Sequence, residues 1–247
     1  RDVALIMNAI AGHDPLDDSS NRAPSEDFSA QLEREVAGLR IGIPTAFFFD
    51  SIDAEIKDAV LLAAGVLEDL GASVEEIPAP DFEVSIAVSM FISAVEGAEF
   101  LSGYLRDRPE DFDTEVRARL DAGALVTGTQ YVRAQRARAD FNRQLNRTFE
   151  EVDILLTPTT AIPAPIADEP LTLLNGKMEP KLQLLTRLTR PFNLGGWPAV
   201  SVPCGFTSEG LPIGLQLVGR AFEDATVLGV AHAYEQATEW HARRPEL

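Results

Sequence analysis

Few residues in this sequence could act as a nucleophile or a general base. The histidines are His13, His232 and His241, and no Gly-x-Ser-x-Gly motif accompanies them, so no Ser-His-Asp triad can be recognised. Cys204 is the single cysteine, and its apolar neighbours favour an inert buried thiol over a nucleophile. The chain has no P-loop, no Gly-x-Gly-x-x-Gly after a strand and no Cys-x-x-Cys. By chemistry alone, the sequence carries no complete catalytic apparatus.

Two further groups of polar residues have a structural interpretation. His13, Asp14, Asp17 and Asp18 could be imagined as metal ligands, but no second histidine lies close and the spacing matches no standard ligand set. We interpret them as turn and capping residues of a surface loop. His232 falls within a predicted helix, which favours packing or a surface position over catalysis.

The composition narrows the class of protein. The 247 residues, 45% of them hydrophobic, are enough for a substantial core. A formal net charge of −18 argues against nucleic acid or an anionic membrane as a partner. No apolar run approaches the roughly 20 residues that cross a bilayer, and a single cysteine fits a reducing compartment, so we expect a cytoplasmic protein. The sequence starts at Arg1, already inside a predicted helix, and we expect it to be cut from a longer protein.

Hydrophobic patterning predicts the elements that must position any site. A strand at 39–44, a helix capped by Asp53 and running to Leu70, and a strand at 72–78 form a βαβ unit, so the sheet is at least partly parallel. The stretch 191–219 contains two buried strands, 199–202 and 213–218, and 193–198 forms a loop that turns sharply or approaches another group closely. The remaining predictions are helices at 2–11, 84–105, from 114, 129–151, 181–189 and 223–239, a buried strand from 152, and a Pro-rich loop at 161–170, where α/β sheets place ligands.

The helix at 129–151 carries an apolar stripe with interleaved arginines. We interpret the arginines as solvated flanks of the helix; the alternative, a nucleic-acid patch, is disfavoured by the acidic balance of the chain. These arginines are Arg133, Arg136, Arg138, Arg143 and Arg147. The whole pattern predicts one α/β domain over residues 1–247.

Three motifs near the C-terminus occur together and in a fixed order. They are DILLTPT (153–159), PFNLGGWPAVSVPCG (191–205) and GLPIGLQLVG (210–219). The sequence 2–14 and the endings at 231–238 and 244–247 accompany them. With these motifs the chain resembles the C-terminal portion of the amidase signature family. The resemblance implies an α/β/α layered fold around a mixed sheet.

The resemblance also implies a reaction. Members of this family hydrolyse linear amides with a serine nucleophile, a second serine in a cis peptide and a lysine base, without metal or organic cofactor. These groups lie before the helix that opens this chain, whose only lysines are Lys57, Lys177 and Lys181. We therefore expect the chain by itself to be inactive on its small-molecule amide, and the N-terminal half of the same fold to be its partner. The resemblance also allows a homodimer.

Six residues are candidates for the substrate pocket by resemblance. In the branch of glutamine-using amidotransferases, Arg119 aligns with an arginine that grips the substrate carboxylate; a helix-surface arginine is the alternative. An aspartate of that branch that binds the substrate amino group is Thr186 here, which disfavours glutamine and favours a general amidase with a less polar substrate. The other candidates are Tyr131, Phe192, Asn193 and Trp197, with core packing as the alternative for the aromatic ones. The rival functions are a non-catalytic scaffold protein derived from the family and the amide-hydrolysing component of a tRNA-dependent amidotransferase.

Overall fold

A mixed five-stranded sheet organises the structure. The computed structural model describes residues 1–17, 20–22, 26–78 and 80–244. The sheet has the strand order β2-β1-β3-β7-β6. Strand β1 is parallel to β2 and β3, whereas β7 is antiparallel to β3 and β6. The strands, including the separate β4–β5 hairpin, are β1 (Arg40–Pro44), β2 (Ser73–Ile77), β3 (Ile154–Pro158), β4 (Leu171–Leu174), β5 (Lys177–Pro180), β6 (Ala199–Phe206) and β7 (Pro212–Gly219).

Helices account for most of the remaining described residues. The second of them, α2, is one turn in which Ala46 and Phe47 depart from helical backbone angles. No helix among the described residues is both long and apolar enough to cross a membrane. The helices are α1 (Asp2–Ile10), α2 (Thr45–Phe48), α3 (Ala54–Asp69), α4 (Glu83–Phe100), α5 (Ser102–Asp107), α6 (Thr114–Ala124), α7 (Gly128–Glu151), α8 (Lys181–Thr186), α9 (Arg190–Gly195) and α10 (Asp224–Ala237).

The predicted βαβ unit is confirmed. The Asp53 carboxylate accepts a hydrogen bond from the Glu55 backbone N–H at 2.8 Å and so caps α3. Strands β1 and β2 pair in parallel, beginning with Arg40 opposite Ser73. All five residues of β3 are buried, as expected of a strand in the middle of a sheet that is covered on both sides.

The two faces of the sheet carry different helices. Gly219 of β7 points at Val227 of α10, and Gly205 of β6 points at Ala59 of α3. The side chain of Gln216, three residues before Gly219, donates to the Leu188 carbonyl between α8 and α9. Because side chains alternate along a strand, Gln216 and Gly219 face opposite sides. The predicted α/β/α layering is confirmed.

Two predicted helices differ from the observed ones. The segment predicted as one buried helix at 84–105 is broken at Leu101 into α4 and α5, and Phe100 beside the break is 81% exposed. The helix predicted at 181–189 ends at Thr186, and α9 begins four residues later. Apolar periodicity continues across both breaks, which is why the sequence pattern did not place them.

The segment predicted as a loop at 193–198 begins with the last turn of helix α9. Its two glycines perform the roles expected of them, close approach and a sharp turn. A Cβ at Gly195 would overlap the ring of Trp197, and Gly196 ends the helix with φ of 83°.

The β4–β5 hairpin was not predicted. Its turn is Asn175-Gly176, with φ of 50° and 79°, and Asn-Gly is the preferred pair for a two-residue hairpin turn. The signal was therefore present in the sequence, directly after the Pro-rich loop predicted at 161–170.

Close packing of α6 on α4 gives a testable prediction. A Cβ at Gly123 would collide with the Ala94 backbone carbonyl of α4, so Gly123→Ala is expected to lower the free energy of unfolding by about 1–3 kcal/mol in urea denaturation. Gly65→Ala in α3 is the control, because nothing lies within 4 Å of its added Cβ and alanine is the better helix former. Unchanged stability of Gly123→Ala would contradict this α4–α6 contact.

Candidate functional site

A cavity of about 310 Å³ lies where helices α4, α7 and α9 meet. This volume is at the lower end of the range for small-molecule sites. Helix α4 supplies one wall, α7 contributes a single arginine, and α9 supplies the rest. The lining residues are Ser89, Ile92, Ser93, Glu96, Arg138, Arg190, Asn193 and Leu194.

Arg190 is half-buried at the start of α9 and is held by the end of α8. Its Nε donates to the Thr186 hydroxyl at 3.0 Å, and that hydroxyl donates to the Leu182 carbonyl at 2.8 Å. Burial, followed by the positive charge of Arg119, lowers the pKa of Arg190. No carboxylate of the described residues forms an ion pair with Arg190.

Arg138 is the second arginine in the cavity wall. Its Nε donates to the Leu194 carbonyl at 2.7 Å, so it fixes α9 against α7. The interpretation of Arg138 as a solvated flank of the long helix was therefore wrong: it is half-buried, whereas Arg133, Arg136 and Arg143 are exposed as predicted.

Tyr131 does not line the cavity itself but is hydrogen-bonded to Glu96, which does. Its hydroxyl donates to Glu96 at 2.6 Å and accepts from Gln135 Nε2 at 2.7 Å. Gln135 also donates to Glu96, at 3.3 Å. The hydrogen bond to Glu96 and burial raise the pKa of Tyr131. The carboxylate of Glu96 therefore already has two partners within the protein.

Arg119 is exposed on α6, close enough for its charge to act on Arg190. No described residue forms a hydrogen bond or an ion pair with its side chain. Of the residues predicted from the sequence, Asn193 lines the cavity, whereas Thr186 and Tyr131 are each hydrogen-bonded to a wall residue. Arg119 acts on the wall through its charge.

Phe192 and Trp197 lie apart from that group, in the core. Phe192 is 1% exposed, with ring centroids 5.7 Å from Phe48 and 6.2 Å from Phe82. Trp197 is 7% exposed and lies 6.2 Å from Phe141. Both also border a surface depression of about 430 Å³ beside Phe222, which Asn193 shares.

Sequence reasoning missed Arg190, Arg138 and Glu96 as wall residues. Arg190 carried a signal, since it is the one charged residue in the stretch from Thr189 to Gly219 apart from Glu209. Glu96 and Arg138 carried none, because both lie on polar helix faces that resemble any solvated face.

No cysteine, lysine or histidine is among the described residues that line this cavity. Burial raises the pKa of Cys204 to about 12, so its thiol is protonated at neutral pH, as expected for an inert buried cysteine. The Nζ of Lys181 donates to the Ile166 carbonyl at 3.1 Å. His232 lies 3.8 Å from Glu33 in a largely buried position.

The N-terminal loop brings one serine and one histidine together. His13 Nδ1 lies 2.8 Å from the Ser20 hydroxyl, but that hydroxyl also accepts from the Asp14 backbone N–H at 3.1 Å and lies 2.8 Å from each of the carbonyls of Asp14 and Asp17. The pair therefore stabilises a turn, as predicted, and no cluster of metal-ligating side chains occurs among the residues that the structure describes. Asp18 lies outside the described residues.

Comparison with known proteins identifies relatives that match nearly the whole length of this chain. A family model described as Amidase matches residues 1–228. The A subunit of the glutamyl-tRNA(Gln) amidotransferase of Thermodesulfovibrio yellowstonii is 36% identical over 271 aligned residues, which cover 100% of this chain and 54% of that protein. An amidase of Pseudomonas putida is 37% identical over 247 residues, which cover 100% of this chain and 53% of that protein. The chain spans about half the length of the curated relatives it matches.

The fold agrees with these sequence matches. A bacterial aryl acylamidase of the amidase signature enzymes superposes with a TM-score of 0.84 and 27% identity, covering 98% of this chain and 52% of that one. The predicted motifs, the layered mixed sheet and the family model all lead to the same assignment. The chain belongs to the amidase signature family.

Proposed function

We propose that this chain forms the substrate-recognising half of an amidase that hydrolyses a linear carboxamide to a carboxylate and ammonia or an amine. One observation carries the proposal. The chain belongs to an amide-hydrolysing family, yet no described serine is hydrogen-bonded to a lysine. The resemblance implies that the nucleophile and base belong to the half of the relatives outside the match, and the proposal assigns them there. The reaction is acyl transfer, with the cavity at α4, α7 and α9 holding the substrate in place.

The surface proposed to receive this segment includes the free edge of the sheet. Strand β6 is an edge of the sheet, and Ala199 and Ser201 in its first half are exposed. An open cleft of about 930 Å³ separates β6 from α1 and α10. Helix α1 lines this cleft with the exposed apolar side chains of Val3 and Leu5. An unpaired edge with adjacent apolar side chains favours a strand-and-helix partner of the same fold.

The alignments favour an amidase over a component of an amidotransferase. The Pseudomonas amidase aligns over 247 positions, the length of this chain. The amidotransferase relatives align over 270–274 positions, so they contain segments with no counterpart here. Thr186 supports the same choice, since its hydroxyl is occupied by Arg190 and Leu182 and it has no charge for an ammonium group.

The proposal is tested by joining this chain to the N-terminal half of the Pseudomonas putida amidase. We expect the chimera to release ammonia from simple carboxamides, and this chain or that half alone to give no turnover. Circular dichroism and gel filtration establish that the chimera is folded. Turnover by this chain alone, or a folded chimera without activity on any amide, would contradict the division of roles.

A glutaminase assay on the same chimera separates the two enzyme functions. We expect faster hydrolysis of monofunctional amides than of glutamine. Selective hydrolysis of glutamine would favour the amidotransferase function instead, and binding of amides without turnover would favour the scaffold function.

A further inference from the structure

We propose that the cavity between α4, α7 and α9 binds the carboxylate of an amide substrate that carries a single negative charge, with Arg190 as the principal anion-binding residue. The proposal rests on the proposed function and specifies its substrate class. Arg138 and Arg119 add positive charge around the same site. The substrate is thus an amide of a dicarboxylic acid, with one end free as a carboxylate.

The first argument is the contrast in charge. The chain has a formal net charge of −18, yet the cavity wall contains Arg138 and Arg190 against one carboxylate, Glu96, with Arg119 close by. A local positive site on an acidic protein concentrates small anions there, whereas the rest of the surface repels them. Chance placement on a solvated surface would surround these arginines with some of the many acidic side chains.

The second argument is that the guanidinium of Arg190 is oriented but not neutralised. Its Nε is fixed by Thr186, whereas no described residue accepts a hydrogen bond from its two terminal nitrogens. A guanidinium presents donors in a planar fork that fits a carboxylate in a bidentate manner. Burial and the charge of Arg119 oppose the charged form of Arg190 and lower its pKa, and a bound anion would relieve both effects.

The third argument separates a monoanion from a zwitterion. An α-amino group would need negative charge in the wall to balance its own positive charge. Glu96 is the one carboxylate among the described wall residues, and it is bound to the Tyr131 hydroxyl at 2.6 Å and to Gln135 at 3.3 Å. Thr186 offers no charge. Two arginines against this single carboxylate leave the wall with an excess of positive charge, to which Arg119 adds, and this excess favours a monoanion over a ligand that carries an ammonium group.

The small residues of the wall complete the site. The hydroxyls of Ser89 and Ser93 donate to carbonyls of their own helix, at 3.1 and 3.2 Å. Buried Ile92 lies between them, and exposed Asn193 has no described side-chain partner. This combination suits a short aliphatic chain that carries a carboxylate at one end and an amide that Asn193 can hydrogen-bond at the other.

The test measures binding by the purified chain and needs no turnover. Isothermal titration with succinamate, with the neutral butyramide of similar size and with zwitterionic glutamine compares the three charge types. We expect succinamate to bind at least about tenfold more tightly than either of the others, with an affinity that falls as salt is raised. Equal affinities, or no succinamate binding, would overturn the proposal.

Variants assign the binding to Arg190. Arg190→Gln is expected to weaken succinamate binding by about 10–100-fold while leaving butyramide binding unchanged. Arg136→Gln removes the same charge from an exposed position of α7 and should change neither. Thr186→Val should weaken succinamate binding and Thr186→Ser should restore it, because the hydroxyl only positions Arg190. An equal loss in Arg136→Gln would indicate non-specific attraction and would refute the assignment.

The two proposals fail in different ways. If the chain binds succinamate through Arg190 but the chimera hydrolyses no amide, the proposed function fails and the anion site stands. If the chimera hydrolyses neutral amides as fast as succinamate, the proposed function stands and the anion site fails.

Discussion

Phe192→Ala is expected to lower the free energy of unfolding by about 3–5 kcal/mol. The side chain is 1% exposed and stacks between other buried rings, with Phe48 at 5.7 Å and an interplanar angle of 12°. Truncation of Phe192 would leave a cavity in the core. The rings of Phe48 and Phe82 cannot move in to fill it, because they pack against each other. Urea denaturation followed by circular dichroism gives the change directly.

The same substitution distinguishes the two roles that the sequence left open for Phe192. As a control, Phe100→Ala removes a phenyl ring that is 81% exposed and should change stability by no more than about 0.5 kcal/mol. If Phe192→Ala were as stable as Phe100→Ala, core packing would be the wrong role. A loss of ligand binding without loss of stability would then assign Phe192 to the pocket.

Asp153→Asn is expected to lower the free energy of unfolding by about 2 kcal/mol at pH 7. Partial exposure of its two partners, Arg40 and Arg220, keeps the effect from being larger. The Asp153 carboxylate accepts from the Arg40 backbone N–H at 3.0 Å, from the Arg40 guanidinium at 3.0 Å and from Arg220 at 2.7 Å. It thereby joins the start of β1, the start of β3 and the residue after β7. An asparagine keeps the shape but loses the charge and must place an N–H₂ group against one of these donors.

The pH dependence of this effect has a definite sign. The hydrogen bond from the Arg40 side chain is the largest influence on Asp153 and lowers its pKa, relative to about 3.9 in an unfolded chain. Since the folded pKa is the lower one, the stabilisation is fully present above the unfolded value and is lost as the pH falls through the folded value. The difference in unfolding free energy between wild type and Asp153→Asn should therefore be constant from about pH 7 to about pH 5 and shrink below about pH 4.

Asp140→Asn provides the matched control. Asp140 also pairs with an arginine, Arg143, but both are more than half exposed on the surface of α7. Its removal should cost no more than about 0.5 kcal/mol. A cost for Asp153→Asn that is no greater, or that grows as the pH falls, would show that the three-way contact does not hold the strands together.

Local features of the sequence were sufficient for much of the fold. The βαβ unit was predictable because each of its signals lies within a few residues: Asp53 as a cap, the apolar spacing of α3, and Gly71 as a stop. The family was equally accessible, because its motifs are contiguous segments that do not depend on packing. The break at Leu101 was not predictable in this way, since the apolar pattern runs through it.

The candidate site was only partly predictable. Asn193 belongs to the motif at 191–205 and was proposed from it, and Thr186 and Arg119 were proposed by resemblance. Arg190 stands in the same region, but its importance depends on the absence of an ion-pairing carboxylate among the described residues around it, which sequence order does not reveal. Arg138 differs from the solvated Arg136, two residues earlier, because its guanidinium donates to the Leu194 carbonyl. That carbonyl lies 56 residues further along the chain, so the contact is not visible in the local sequence.

The family, the order of most strands and helices, and the lack of a recognisable nucleophile with its base thus follow from the amino-acid sequence without coordinates. The core position of Phe192 and the positively charged cavity between α4, α7 and α9 emerge only from the folded arrangement. The physical reason is the range of the interactions. Capping, turn formation and apolar periodicity act over a few residues, whereas the burial of a ring and the field around a guanidinium are set by helices that meet only when the chain has folded.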